Sequence, residues 1–164
     1  MSIQFTEVTT PEQIQTVAAL ADEIWHQHYA TILSPDQIDY MVALYQSPKA
    51  LTEQLQSGYR YLLANVDGKD CGFCGFHREE ENGKMFISKI YIEQEYRHRG
   101  IAKSFVQQVI DQSKGLKSVY LTVNKFNTGS IAAYQHLGFV TVDAIVSDIG
   151  NGYVMDDYVM EKTL

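Results

Sequence analysis

The hydrophobic pattern of this chain changes period once, near residue 59, and that change restricts the fold more than any other feature. Before it, Ile14, Val17, Ala18, Ala21, Ile24, Trp25 and His28 recur at helical spacing. Thr10-Pro11-Glu12 opens this helix, with Pro in the first turn where its missing N–H costs nothing, and the spacing predicts it to about residue 29. A short strand is expected over 3–8. Ser34-Pro35-Asp36-Gln37 opens a second helix, striped by Ile38, Met41, Val42 and Tyr45. After Ser47-Pro48 a short helix is expected to Gln56.

From Tyr59 the period is that of strands. Residues 59–66 and 71–78 flank the hairpin signal Asp67-Gly68, and a third strand covers 85–92. A helix is expected over about 100–114 and a strand over 117–123. Asn127 or Thr128 caps a further helix that stops at Leu137-Gly138. A last hairpin, 139–146 with 153–162, turns around Gly150-Asn151-Gly152. Helices followed by hairpins, with two later helices between strands, describe a mixed α/β sheet and not a doubly wound parallel one. At 164 residues, without repeats or linker-like stretches, one domain over 1–164 is expected.

The net charge of −7 makes sequence-blind binding to a phosphate backbone a poor expectation, and no nucleic-acid partner is expected. No apolar run approaches the roughly 18 residues of a membrane-spanning helix, and the start carries no basic-then-apolar leader. Two cysteines make no disulfide framework, so a cytoplasmic location is the default expectation.

One stretch carries chemistry: a strand through Lys89-Ile90-Tyr91-Ile92 runs into Glu93-Gln94-Glu95-Tyr96-Arg97-His98-Arg99 and then a helix opening on Gly100-Ile101-Ala102. A helix start exposes unpaired N–H groups, its dipole favours an anion, and small residues let a pyrophosphate approach. Arg97 and Arg99 add positive charge. Residues 97–103 read either as a diphosphate cradle or as a basic cap with a packing glycine. Neither a Walker loop nor a Gly-x-Gly-x-x-Gly pattern is present.

Arg97-x-x-Gly100-x-Ala102 resembles the Arg/Gln-x-x-Gly-x-Gly/Ala signature of the GNAT superfamily of N-acetyltransferases. Asn124-x-x-Asn127, Tyr134 and Gly138-Phe139 resemble that superfamily's second acetyl-CoA motif, in the expected order and spacing. The likeness covers about residues 59–162, with Ala102 where Gly is commoner; the region from Trp25 to Tyr45 loosely resembles the amino-terminal part of bacterial polyamine acetyltransferases. The GNAT likeness implies a mostly antiparallel sheet with flanking helices, in which strand 85–92 splays from strand 117–123 and acetyl-CoA lies in the gap. On this likeness the segment Ile90, Tyr91 and Ile92 holds the pantetheine through backbone groups. Arg97, His98, Arg99, Gly100, Ile101, Ala102 and Lys103 hold the pyrophosphate. Asn127 binds the pantetheine, and Tyr134 protonates the leaving thiolate. A buried helix tyrosine is the plainer reading of Tyr134.

The base stays open. The strand before the loop offers Phe86 and Ser88 where relatives carry Glu, so water-mediated deprotonation is the default, with Glu23, His28 and Asp36 as weaker candidates. Trp25, His28 and Tyr29 are candidates to wall an acceptor pocket, where rings attract a cationic amine; core packing is the alternative. Cys71 and Cys74 read as small buried hydrophobes on opposite faces of a strand, and no metal site is expected. Asp156-Asp157 points its two carboxylates to opposite faces and is no catalytic pair. Glu79-Glu80-Glu81 reads as a solvated turn. The expected activity is direct acetyl transfer to a small or polyamine-like primary amine. A peptide amino terminus and a non-catalytic acyl-CoA sensor are the alternatives. Homodimers are common in the resembled family, and nothing in the sequence demonstrates one.

Overall fold

A computed structural model describes residues 2–164. Its seven strands form one sheet in the order β1-β2-β3-β4-β5-β7-β6. They are β1 (Ile3–Glu7), β2 (Arg60–Val66), β3 (Lys69–Glu79), β4 (Lys84–Ile92), β5 (Ser118–Asn124), β6 (Val140–Gly150) and β7 (Tyr153–Thr163). Every neighbouring pair is antiparallel except β4 and β5. The helices are α1 (Pro11–His28), α2 (Pro35–Tyr45), α3 (Pro48–Gln56), α4 (Ile101–Asp111) and α5 (Thr128–His136), with 3-10 turns at Tyr29–Thr31 and Gln94–Tyr96. No helix among the described residues is long and apolar enough to cross a membrane.

Local chemistry explains most boundaries. Thr10 and Gln13 form a reciprocal capping box at the start of α1, and Ser34 and Ser47 accept the N–H three residues on at the starts of α2 and α3. Asp67-Gly68 and Asn151-Gly152 both hold two consecutive residues at positive φ, the requirement of a tight hairpin turn whose twist matches its strands.

The sheet has a core on each face. On one, Phe105, Val106 and Val109 of α4 pack on Met85, Ile87, Val119, Leu121 and Met160. On the other, Val17, Ala21, Ile24 and Trp25 of α1, with Leu51 of α3, pack on Tyr61, Leu63 and Phe73.

Two β-bulges change which face a side chain reaches. Ala64 pairs with Gly72 but Asn65 with Asp70, so Cys71 is the extra residue in β3. The parity of the strand flips there, and Cys71 and Cys74 lie in the same core, beside α4. The expectation of opposite faces held only for a regular strand. Both thiols are free and buried, and burial pushes both up from their ordinary pKa. In β4, Gly75 pairs with Lys89 and Phe76 with Ile87, leaving Ser88 as the extra residue. The acidic turn is also less solvated than expected, since Glu79 accepts a hydrogen bond from the Tyr120 hydroxyl at 2.7 Å.

Gly72 packs where no side chain fits: a Cβ there would lie 2.7 Å from the Tyr91 carbonyl oxygen and 3.3 Å from Ile92 Cα. Backbone atoms cannot step aside cheaply. Gly72→Ala is expected to cost about 1–3 kcal/mol of stability. Tm then falls by about 2–4 °C per kcal/mol for a chain of this size. An unchanged melting curve contradicts this packing.

Candidate active site

β4 and β5 pair in register only from Lys84↔Ser118 to Ile87↔Leu121, although β4 continues to Ile92 and β5 to Asn124. Beyond that point the strands part and a cleft of about 910 Å³ opens between them. Glu93 N–H donates to the Cys71 carbonyl of β3 at 2.9 Å. Alternation along the strand therefore turns the groups of Tyr91 towards β3 and those of Ile90 and Ile92 towards the gap. Arg97 Nε donates to the Ile92 carbonyl at 3.2 Å, which satisfies one of them. The N–H groups of Ile90 and Ile92 face the cleft as unfilled donors, and an extended amide-bearing chain fits such a slot.

At one end of the cleft lies the start of α4. Gly100 caps the helix in the left-handed region (φ +81°) without a side-chain cap, and His98 is also left-handed (φ +63°). Such turns gather N–H groups around an anion. The N–H groups of Ile101, Ala102 and Lys103 have no protein partner among the described residues; the first intrahelical bond is Ser104 N–H to the Gly100 carbonyl. Donors, dipole and the Arg97 guanidinium converge where a pyrophosphate fits.

The far side of the cleft is walled by α1, α2, β6 and β7. Trp25 is buried and stacks on Tyr29 at 4.4 Å, and Tyr91 lies against it at 5.7 Å. Burial pushes the Tyr29 phenol up to about 12. His28 also lines the cleft, and its pKa is lowered by burial and by the Arg97 charge, with Asn127 opposing. Tyr134 on α5 is half-buried, packs edge-on against Phe139 and faces the cleft. Burial and the nearby Tyr29 hold its phenol well above 10.

Two charged side chains in this wall escaped the sequence reading. The Ser88 bulge swings Lys89 away from Met85 and Ile87 onto the α1–α3 face. There its Nζ donates to the Tyr45 carbonyl at 2.7 Å and to Gln54 Oε1 at 3.0 Å, 5.3 Å from the Tyr61 ring centroid. Burial lowers its pKa to about 7. Asp157 on β7 is only 7% exposed, and its Oδ1 has no hydrogen-bond partner among the described residues. Burial, reinforced by Asp156 and opposed by Lys125, raises its pKa to about 6.

Most of the expected residues meet here. Trp25, His28, Tyr29, Ile90, Tyr91, Ile92, Arg97, His98, Gly100, Ile101, Ala102, Asn127 and Tyr134 all line the cleft. Arg99 and Lys103 do not: both are exposed, Arg99 over the Tyr96 ring at 5.0 Å. Asn127 also has a structural duty, accepting the Ser130 N–H as the cap of α5. Of the three weaker base candidates, Glu23 and Asp36 are exposed outside the cleft. A lone charge inside an apolar strand, as Lys89 is between Ile87 and Ile90, was the available signal for one missed residue. Asp157 carried none, since its place depends on pairing with β5 and β6.

Parted parallel strands leading to a bare helix N-terminus make a cleft suited to an acyl-CoA. Residues 17–139 match the profile of the acetyltransferase (GNAT) family. The chain is 27% identical to the spermidine N(1)-acetyltransferase of Thermoplasma acidophilum over 169 residues, 99% of this chain and 98% of that one. It is 26% identical to the spermine/spermidine N(1)-acetyltransferase of Bacillus subtilis over 118 residues, 65% of this chain and 75% of that one. Its fold superposes on a crystal structure of the PaiA N-acetyltransferase from Thermoplasma acidophilum in complex with coenzyme A, with a TM-score of 0.84, 25% identity and full coverage of both chains. The chain belongs to the GNAT family, and it is an N-acetyltransferase that uses acetyl-CoA.

Lys89 gives a test of this wall. In the unfolded chain its pKa is near 10.4, so between about 7 and 10.4 the unfolded state binds more protons and stability rises with pH. Below pH 7 the buried charge costs its full amount. Urea unfolding of wild type and Lys89→Met at pH 7 and pH 9.5 is expected to show this gain in wild type and its loss in the variant. Equal pH dependence in both contradicts the burial of the amine.

Proposed function

We propose that the chain transfers the acetyl group of acetyl-CoA directly to the primary amine of a small, polyamine-like acceptor, as one catalytic domain over 1–164. In this reading the Ile90 and Ile92 backbone, with the Tyr91 segment between them, binds the pantetheine and polarises the thioester carbonyl. Donors aimed at a developing oxyanion lower the barrier by several kcal/mol in related chemistry, about 2.7–4 for one donor. Arg97, His98 and the N–H groups of Gly100, Ile101, Ala102 and Lys103 bind the pyrophosphate, with Arg99 at the rim. Asn127 binds the pantetheine beside its capping duty.

Tyr134 is the general acid in this scheme, giving its proton to the leaving sulfur. A phenol near 10 is a poor match for a thiol near 8.5 in water. Burial disfavours the phenolate and a thiolate leaving into the same low-dielectric gap alike, so the two shifts run in the same direction. Its raised pKa keeps Tyr134 protonated at neutral pH. Direct transfer is favoured because both cysteines are buried in the α4 core with raised pKa values, outside the cleft wall.

The observation that carries the acceptor class is the aromatic wall of Trp25, His28 and Tyr29 at the end of α1. The Trp25 and Tyr29 rings can each stabilise a cation by about 0.5–2 kcal/mol. The net charge of −7 and the polyamine acetyltransferase names of the two relatives support the same class.

Thiol release from acetyl-CoA is to be followed with spermidine, spermine, amino acids, aminoglycosides and peptides. Polyamines are expected to turn over fastest. Tyr134→Phe is expected to lower kcat by about 10²–10⁴ with little change in the KM for acetyl-CoA. Preference for peptides overturns the acceptor class, and an unaffected Tyr134→Phe overturns the acid.

A further inference from the structure

We propose that Asp157 is the acceptor-binding base: its carboxylate holds the incoming ammonium and takes the proton that must leave before nitrogen attacks. This inference rests on the acetyl-transfer reading above. It replaces the water-mediated deprotonation that the sequence suggests.

Position comes first. Asp157 pairs with Asn124, three residues past the last point at which β5 still meets β4. It therefore lies along the open part of the cleft. Met155 and Asp157 line the cleft, whereas Tyr158 and Met160 pack into the α4 core, so the carboxylate is on the acceptor side of the sheet.

The carboxylate is also left incomplete by the fold. A buried polar atom without a partner costs about 1–3 kcal/mol, more when charged, and native structures rarely tolerate one without a use. The neighbouring Asp156 is paired with Lys125 Nζ at 2.7 Å. The other cations of the wall are committed, Lys89 to Tyr45 and Gln54, and Arg97 to Ile92. A ligand bearing N–H donors and a positive charge completes Asp157, and a primary ammonium has both.

The titratable groups that bear on Asp157 are Asp156 on its own strand, Lys125 from the β5–α5 loop and Tyr29 from the turn after α1. His28 and Arg97 share the cleft. With a pKa of about 6, Asp157 is ionised at neutral pH. His28 is neutral there, because burial and Arg97 lower its pKa, and a neutral imidazole does not attract an ammonium.

The proton balance is simple. The ammonium gives one proton to Asp157, which passes it to bulk water. The freed nitrogen lone pair forms the N–C bond to the acetyl carbon, and the C–S bond breaks with its electron pair on sulfur. Tyr134 protonates that sulfur and is reprotonated by the second proton lost from nitrogen. Ammonium and acetyl-CoA thus become amide, free CoA thiol and one proton.

Asp157→Asn tests the assignment by three readouts on the full chain with spermidine. The wild-type kcat/KM profile is expected to fall as pH drops through about 6, and the variant to lack that limb and lose about 10²–10⁴ in kcat/KM at pH 7.5. Calorimetric affinity for acetyl-CoA is expected to stay unchanged. The third readout is stability. An unfolded Asp titrates near 3.9, so between there and about 6 the folded state binds more protons, and the cost of the buried charge is fully present above pH 6. The variant is therefore expected to melt higher than wild type at pH 7.5. Wild-type turnover with the acidic limb intact in Asp157→Asn overturns the proposal while leaving the acetyltransferase reading in place. A lower melting temperature with loss of acetyl-CoA binding also overturns it, as a purely structural role. If wild type binds CoA but acetylates no amine, the functional reading falls and this inference with it.

Discussion

An unfinished hydrogen-bond ladder governs this structure. β4 and β5 are held together at one end, where Met85, Ile87, Val119 and Leu121 share the α4 core, and are apart at the other. Backbone N–H groups in a sheet are obligatory donors, so a parted pair is stable only where something else meets those groups. Arg97 Nε donates to one unpaired acceptor of the parted strand, the Ile92 carbonyl. The rest define a slot whose shape and polarity follow from the main chain, and the bare N-terminus of α4 extends it with three further donors. The slot ends where left-handed backbone at His98 and Gly100 turns the chain into that helix. This part of the cleft is therefore lined largely by backbone groups.

The opposite wall is built from side chains, and its two buried charges are treated unequally. Lys89 is completed by a carbonyl and an amide from α2 and α3, and its amine is easily neutralised. Asp157 is buried to a similar degree without such completion. Leaving a buried polar atom without a partner costs about 1–3 kcal/mol, more when charged, so an apolar residue at the second position would serve packing better. The fold completes the first charge and leaves the second without a partner for its Oδ1 among the described residues. The rings of Trp25 and Tyr29 belong at once to the core and to the cleft.

The elements of this fold were largely legible because they rest on local chemistry. Thr10 and Gln13, Ser34, Ser47 and the two hairpin dipeptides each act within a few residues. The turn from Arg97 to Ala102 at the mouth of the cleft was legible for the same reason, since it is one continuous segment. The bulges at Cys71 and Ser88 were not, because one inserted residue leaves composition and hydrophobicity unchanged while reversing every later side chain. Lys89 was missed as a consequence, and Asp157 for a separate reason. One depends on a bulge and on helices more than thirty residues earlier, the other on a strand pairing that no short window contains. The side chains of Arg99 and Lys103 stand exposed outside the cleft wall, which their continuous segment alone does not reveal.

The central claim is that the broken β4–β5 ladder is the acyl-CoA slot. Amide chemical shifts in 15N-labelled protein titrated with coenzyme A test it most directly. The account predicts that the largest changes fall on Ile90, Ile92, Ile101, Ala102 and Lys103, while Met85 and Ile87, in the closed part of the ladder, stay nearly still. Large changes confined to residues outside the cleft, or none at Ile90 and Ile92 under saturation, contradict it.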